Sequence, residues 1–185
     1  PNLDRAAATA AGAIFFNQGE MCTAASRLII EESVRERVLE KVVEASHAMQ
    51  PGDPLDPATR MGAIVDEFQT RTVLGYIDSG KSEGAAVLAG GQRVRERTGG
   101  CYIEPTVFAN VRPDMRIARE EIFGPVLAAI TVKDAEEAVR VGNGVEYGLA
   151  AAVWTRDIGK AHRIAKSLRA GMVYVNCYDA DDITV

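Results

Sequence analysis

Strand-like runs alternate with helix-like runs along nearly all of this chain, and that alternation constrains the fold more than any single motif. Leu3 to Phe16 is Ala-rich and lacks proline, which favours helix. Arg27 to Ile30 is a short β-prone run. Glu32 to Met49 carries Val34, Val38, Val42 and Val43 on one helical face. The proline- and glycine-rich stretch from Pro51 to Pro57 interrupts it. Helical spacing returns from Asp66 to Lys81, then a strand at Ala85 to Ala89 and a basic loop or hairpin end bracketed by Gly90-Gly91 and Gly99-Gly100. Tyr102 to Phe108 reads as a strand whose Pro105 places it at an edge or a bulge. Val126 to Val132, Leu149 to Trp154 and Met172 to Val175 read as apolar strands, with helices at Asp134 to Val141 and Asp157 to Leu168 between them, each opened by an aspartate suited to cap it. Strands joined by helices of this length imply right-handed crossovers. The expected fold is therefore α/β, a three-layer, mostly parallel sheet with helices on both faces, in one domain.

Composition excludes several function classes. The 185 residues are 47% hydrophobic and 25% charged, with a net charge of −5, which fits an ordinary folded domain and argues against a nucleic-acid partner. No apolar run reaches the roughly 18 residues of a membrane span, so no membrane partner is expected. Cys22, Cys101 and Cys177 are widely separated and odd in number, which points to reduced thiols and a cytoplasmic location. Without a CxxC pair, and with only His47 and His162, no metal site is expected. The first residue is Pro1 and the tail from Asp179 to Val185 has no closing element, so both ends read as cuts in something longer.

Two stretches carry reactive groups. In Phe15-Phe16-Asn17-Gln18-Gly19-Glu20-Met21-Cys22-Thr23-Ala24-Ala25-Ser26-Arg27, a thiol follows a glycine turn at the end of an apolar helix, with small residues behind it. A thiolate there is a nucleophile whose pKa backbone N–H groups can lower; the competing reading is a small buried hydrophobe. In Arg119-Glu120-Glu121-Ile122-Phe123-Gly124-Pro125-Val126, a carboxylate and a ring precede a break and a strand. Such loops line ligand crevices in open sheets, or they are simply solvated helix ends.

Taken together, the first stretch resembles the nucleophile motif, and the second the Glu-Glu-Ile-Phe-Gly-Pro motif, of the NAD(P)-dependent aldehyde dehydrogenase superfamily. Tyr102-Ile103-Glu104-Pro105-Thr106-Val107, Asn143 through Tyr147-Gly148-Leu149-Ala150-Ala151-Ala152-Val153, and Ala170-Gly171-Met172-Val173-Tyr174-Val175-Asn176 extend the resemblance in order over all 185 residues. It implies a catalytic domain spanning 1–185, truncated at both ends and without its coenzyme-binding domain. It implies that Cys22 attacks an aldehyde, that the thiohemiacetal gives up hydride to NAD or NADP, and that water hydrolyses the resulting thioester. The Cys22 N–H forms part of the oxyanion site. Glu121 holds the nicotinamide ribose, Phe123 packs beside the nicotinamide, and Gln69 approaches the same ribose. Phe16, Met21 and Thr23 line the aldehyde tunnel, and Asn176 supports the site from the last strand.

The departures matter equally. The Glu-Leu-Gly-Gly motif that carries the general base, the asparagine that completes the oxyanion site, and a glycine-rich pyrophosphate cradle do not occur in this sequence. The expected consequence is weak or no coenzyme binding and no sustained turnover by this chain, with the longer form a homo-oligomer and the fragment prone to self-association through its uncovered face. Glu20 stands where many members carry Gln, and would raise the thiol pKa if its carboxylate faced Cys22. The acidic tail, with Asp179 and Asp181, together with Ala151-Ala152-Val153-Trp154-Thr155-Arg156-Asp157, resembles γ-glutamyl-γ-aminobutyraldehyde and related aminoaldehyde dehydrogenases. These aspartates attract an amino-bearing aldehyde, or they are ordinary loop residues. Two further readings are kept: a cysteine–histidine hydrolase, which lacks a recognisable base motif here, and a non-catalytic folded half or interaction module with residual acyl transfer at Cys22.

Overall fold

The structure, a computed structural model, describes residues 1–179. Six helices occur among them: α1 (Leu3–Phe15), α2 (Arg35–His47), α3 (Glu67–Ser82), α4 (Arg116–Arg119), α5 (Ala135–Gly142) and α6 (Ile158–Ser167). The strands are β1 (Arg27–Glu31), β2 (Ala86–Ala89), β3 (Arg93–Val94), β4 (Tyr102–Ile103), β5 (Thr106–Ala109), β6 (Val126–Val132), β7 (Ala150–Val153) and β8 (Met172–Val175). Both expected aspartate caps form: Asp134 accepts from the Glu137 N–H at 2.8 Å and Asp157 from the Lys160 N–H at 2.9 Å, each satisfying a helix-end donor.

The main sheet has the order β1-β6-β5-β2, with β1, β6 and β5 parallel and β2 antiparallel at the edge. Its centre is β6. Val126, Ala128, Ile130 and Val132 enter one core with Val73 and Ile77 of α3 and Ile117 of α4. Leu127 and Ala129 enter the other, with Ala11 and Ile14 of α1 and Val38 and Val42 of α2. Strand side chains alternate in direction, so a strand buried on both faces is apolar on both, as β6 is from Val126 to Ile130; only Thr131 near its end is polar and exposed. The layers are therefore α1/α2, sheet, and α3/α4/α5, as the α/β reading requires.

Two strand expectations change in detail. The run from Tyr102 to Phe108 is two strands. β4 pairs antiparallel with β3 in a small hairpin, and β5 joins the main sheet. Pro105 separates them because it has no N–H for a ladder; the next N–H, of Thr106, bonds to the Pro125 carbonyl at 2.8 Å. Among the described residues, the strands β7 and β8 form a parallel pair of their own, not joined to β1.

Candidate active site

The Cys22 loop is built by a helix that stops abruptly. After Phe15 the chain makes a tight 3-10 turn, Phe16–Gly19, in which Asn17 and Gln18 both hold left-handed backbone (φ 47°) and Gly19 follows at φ 73°. Only glycine fits the last position. A Cβ on Gly19 would sit 2.2 Å from the Gly124 carbonyl oxygen, and one on Gly124 would sit 2.4 Å from Val73 of α3. The absence of two side chains thus brings the Cys22 loop against the Glu121–Pro125 loop, and that loop against α3.

α3 also holds the second loop directly. The Gln69 side-chain amide donates to the carbonyls of Ile122 (3.0 Å) and Phe123 (2.8 Å). This fixes Phe123 at φ 54°, with the residue 38% exposed. Gln69 therefore spends its donors on the loop, which makes it a support for Phe123. The two adjacent glutamates part company here. Glu120 accepts from the Tyr76 hydroxyl (2.8 Å) and from Arg116 (3.0 Å), and these partners hold its carboxyl below the usual range. The Glu121 carboxylate is exposed and has no hydrogen-bond partner among the described residues; its backbone N–H donates to the Tyr147 hydroxyl at 3.2 Å.

Cys22 itself is exposed, and its N–H makes no hydrogen bond among the described residues. Cys22 and Thr23 open onto a cavity of about 770 Å³ that also reaches Glu121 and Tyr147. Phe16, exposed, and Met21, half-buried, lie outside its lining. The Glu20 carboxylate does not face the thiol. It accepts from the Val65 N–H (3.1 Å) and the Gln18 amide (3.3 Å), so its charge is spent on holding the loop.

A residue with no assigned role in the sequence, Tyr178, closes the site from the end of β8. Its hydroxyl donates to the Thr23 carbonyl, directly behind the nucleophile position. Burial first, then the charges of Asp179 and Cys22, push its phenol up to about 12. Its ring also meets Tyr174, with centroids 5.2 Å apart. Asn176 bonds the Thr155 backbone in both directions (3.0 Å each), tying the ends of β7 and β8 together. Asp179 is exposed at φ 50°; Asp181 lies outside the described residues. His47 and His162 are exposed on α2 and α6, and neither lines the Cys22 cavity. Among the described residues no group of three His, Cys, Asp or Glu side chains is placed to hold a metal, and no helix is long and apolar enough to cross a membrane.

Comparison with known proteins gives a consistent result. Residues 1–185 match the profile of the Aldehyde dehydrogenase family. The chain is 43% identical over 185 residues to the NADP/NAD-dependent aldehyde dehydrogenase PuuC of Escherichia coli (strain K12), covering 100% of this chain and 37% of that protein. Among solved structures it superposes on the aldehyde dehydrogenase KauB from Pseudomonas aeruginosa with a TM-score of 0.98 and 58% identity, covering 100% of this chain and 37% of that one. On the γ-glutamyl-γ-aminobutyraldehyde dehydrogenase from Burkholderia cenocepacia the TM-score is 0.95 and the identity 57%, covering 98% and 36%. The chain thus spans little more than a third of the relatives it matches. With a family profile matched over its whole length, this chain belongs to the aldehyde dehydrogenase family.

Proposed function

We propose that these residues form the nucleophile half of an aldehyde-oxidising site, with Cys22 as the attacking group. The observation that carries this is the Gly19–Gly124 approach, which sets an exposed thiol beside a loop presenting a free carboxylate and an exposed ring. The thiolate of Cys22 adds to the aldehyde carbon; a C–S bond forms and the carbonyl electrons move to oxygen. The unpartnered Cys22 N–H stabilises that oxyanion. Loss of hydride from the same carbon leaves a thioester on Cys22, and water then releases the carboxylic acid and the thiol.

NAD or NADP, when bound, supplies the hydride acceptor. The residues present fit the nicotinamide end of that group. The unpaired Glu121 carboxylate suits ribose hydroxyls, and the Phe123 ring suits a flat heterocycle. Gln69 holds both through the loop carbonyls. Thr23, Phe16 and Met21 flank the thiol on the aldehyde side, and Asn176 with Tyr178 braces it from β8. We take the domain to be the catalytic one, acting together with a coenzyme-binding domain and a general base supplied from outside residues 1–185. Alone it turns over no aldehyde.

For the substrate, an ω-amino- or γ-glutamylamino-aldehyde is favoured by the exposed Asp179 and by the 57% identity to the Burkholderia enzyme. In a longer protein carrying this segment, aminoaldehydes should show a higher kcat/KM than simple aliphatic aldehydes; equal values would sink the assignment.

The test on this chain is substoichiometric iodoacetamide labelling, read by mass spectrometry, with NADH formation followed in parallel. Cys22 should be alkylated before the half-buried Cys101 and Cys177, and no NADH should accumulate with aldehyde and NAD. Preferential labelling of Cys101 or Cys177 overturns the nucleophile assignment, and Cys22-dependent NADH production overturns the inactivity of the isolated domain.

A further inference from the structure

Cys22 sits in a four-residue turn. The Ala24 N–H donates to the Met21 carbonyl at 3.0 Å, which makes Cys22 and Thr23 the two central residues. Neither central N–H has a hydrogen-bond partner among the described residues. The flanks of the turn are fastened. Before it, Glu20 accepts from the Val65 N–H; behind it, the Ala25 N–H donates to the Ala13 carbonyl of α1 (3.3 Å). The tip has a single anchor. Among the described residues, the Tyr178 hydroxyl is the only side-chain group that bonds to Met21, Cys22 or Thr23.

That anchor falls on the peptide that closes the turn. The unit from the Thr23 carbonyl to the Ala24 N–H is held at both ends, its N–H by Met21 and its C=O by Tyr178. An amide whose oxygen accepts a hydrogen bond is polarised and donates more strongly through its own N–H. Tyr178 therefore tightens the Ala24–Met21 bond, and with it the backbone that carries the Cys22 N–H. The hydroxyl also keeps its proton where this matters. Burial, then the charges of Asp179 and Cys22, hold the phenol up to about 12, well above the region around pH 8.5 in which cysteine thiols ordinarily ionise. The ring is half-buried and rests against Tyr174, so its place does not depend on the hydroxyl alone.

We propose that Tyr178 is a positioning residue for the reaction at Cys22: through the Thr23–Ala24 peptide it fixes the Cys22 N–H where an oxyanion forms, and leaves the reactivity of the thiol itself unchanged. This rests on the reading of Cys22 as the nucleophile. A fixed donor is worth most when it needs no rearrangement as charge develops, so slack in the turn is felt in the transition state for attack on a carbonyl. Displacement at a saturated carbon develops no oxyanion and does not feel it.

Two reagents separate this role from simple bracing. With iodoacetamide, the Cys22 thiolate displaces iodide and no oxyanion forms. With p-nitrophenyl acetate, the thiolate adds to the carbonyl carbon, the bond to the aryl oxygen breaks, p-nitrophenolate leaves and an acetyl thioester remains on Cys22. Both rates scale with the thiolate fraction, so their ratio cancels it. In Tyr178→Phe the ester rate should fall at least roughly tenfold and the iodoacetamide rate by less than about twofold, each read at Cys22 by mass spectrometry. A ring-difluorinated tyrosine in place of Tyr178 keeps the shape and the hydroxyl but ionises at lower pH. Its rate ratio should match the wild type while the phenol is protonated and fall as it ionises, since a phenolate donates nothing. If Tyr178→Phe does not fold, that pH profile decides. An unchanged ratio, or a parallel fall of both rates, makes Tyr178 a brace only and overturns the proposal. A wild-type chain acetylated elsewhere than at Cys22 overturns the nucleophile reading beneath it.

Discussion

At the scale of single residues, the site depends on contacts that one-dimensional pattern does not display. Cys22, Glu121 and Phe123 are legible because each sits in a short motif next to a glycine turn. Tyr178 is not legible, since its role is one hydroxyl bond to a carbonyl 155 positions away. Glu20 is equally hidden: from sequence its charge lies two residues from the thiol, and only the fold turns the carboxylate to Val65. Tyr178 gives a prediction in pH. Its folded pKa, about 12, lies above the ordinary 10, so the native state keeps a proton that the unfolded chain releases. Its contribution to stability is thus complete below about pH 10 and falls away as pH rises towards 12. Tyr178→Phe lacks both the hydroxyl bond and the titration. Urea midpoints should show the wild type ahead of the variant near neutrality, with the gap shrinking in the alkaline window. A gap constant across that window would contradict the burial of this hydroxyl. The other tyrosines are common to both proteins and cancel.

Among the elements, the helices with a side-chain cap are the most legible, because the cap marks their start; α2 and α4 have none. Asp66, Asp134 and Asp157 all accept from the N–H three residues on, as their positions imply. Strand runs were legible in place but not in partnership. Apolar runs locate β5, β6 and β7, but nothing local says that, among the described residues, β7 pairs with β8 alone or that β2 runs antiparallel to β5. Pairing is decided by distant groups. An example is the Arg27 guanidinium, which leaves β1 to bond the last carbonyls of α5, Val141 (3.1 Å) and Gly142 (2.9 Å). With its N-terminus capped by Asp134 and its C-terminus by Arg27, α5 is held at both ends over only eight residues. So short a helix has little stability of its own. Asp134→Ala should therefore cost about 1 kcal/mol, the usual value of an N-cap oxygen. The measurement is the urea midpoint, with Asp134→Asn as control, since asparagine caps nearly as well. An equal loss in both variants would show that the charge, and not the cap bond, is what matters.

For the molecule as a whole, the two cores draw on α1 to α5 and on strands β2 and β4 to β6, with Ile30 from β1, and on no residue of β7, α6 or β8. The last described segment is joined to the rest by polar and peripheral links instead. Asn143 bonds Ser167 and Arg169, Tyr178 bonds Thr23, and Arg5 lies 6.0 Å from the centre of the Trp154 ring. Stability within a fold follows buried apolar contact, so the segment from Ala150 to Val175 should open without the main sheet. Native-state hydrogen exchange with mass spectrometry reads this directly. Amides of β6, flanked by strands on both sides and by core on both faces, should exchange only through global unfolding. Amides of β7 and β8 should exchange at least roughly a hundredfold faster, equivalent to an opening about 3 kcal/mol less costly than global unfolding. Equal protection in β6 and β7 would mean that the main sheet and the β7–β8 pair open as one cooperative unit.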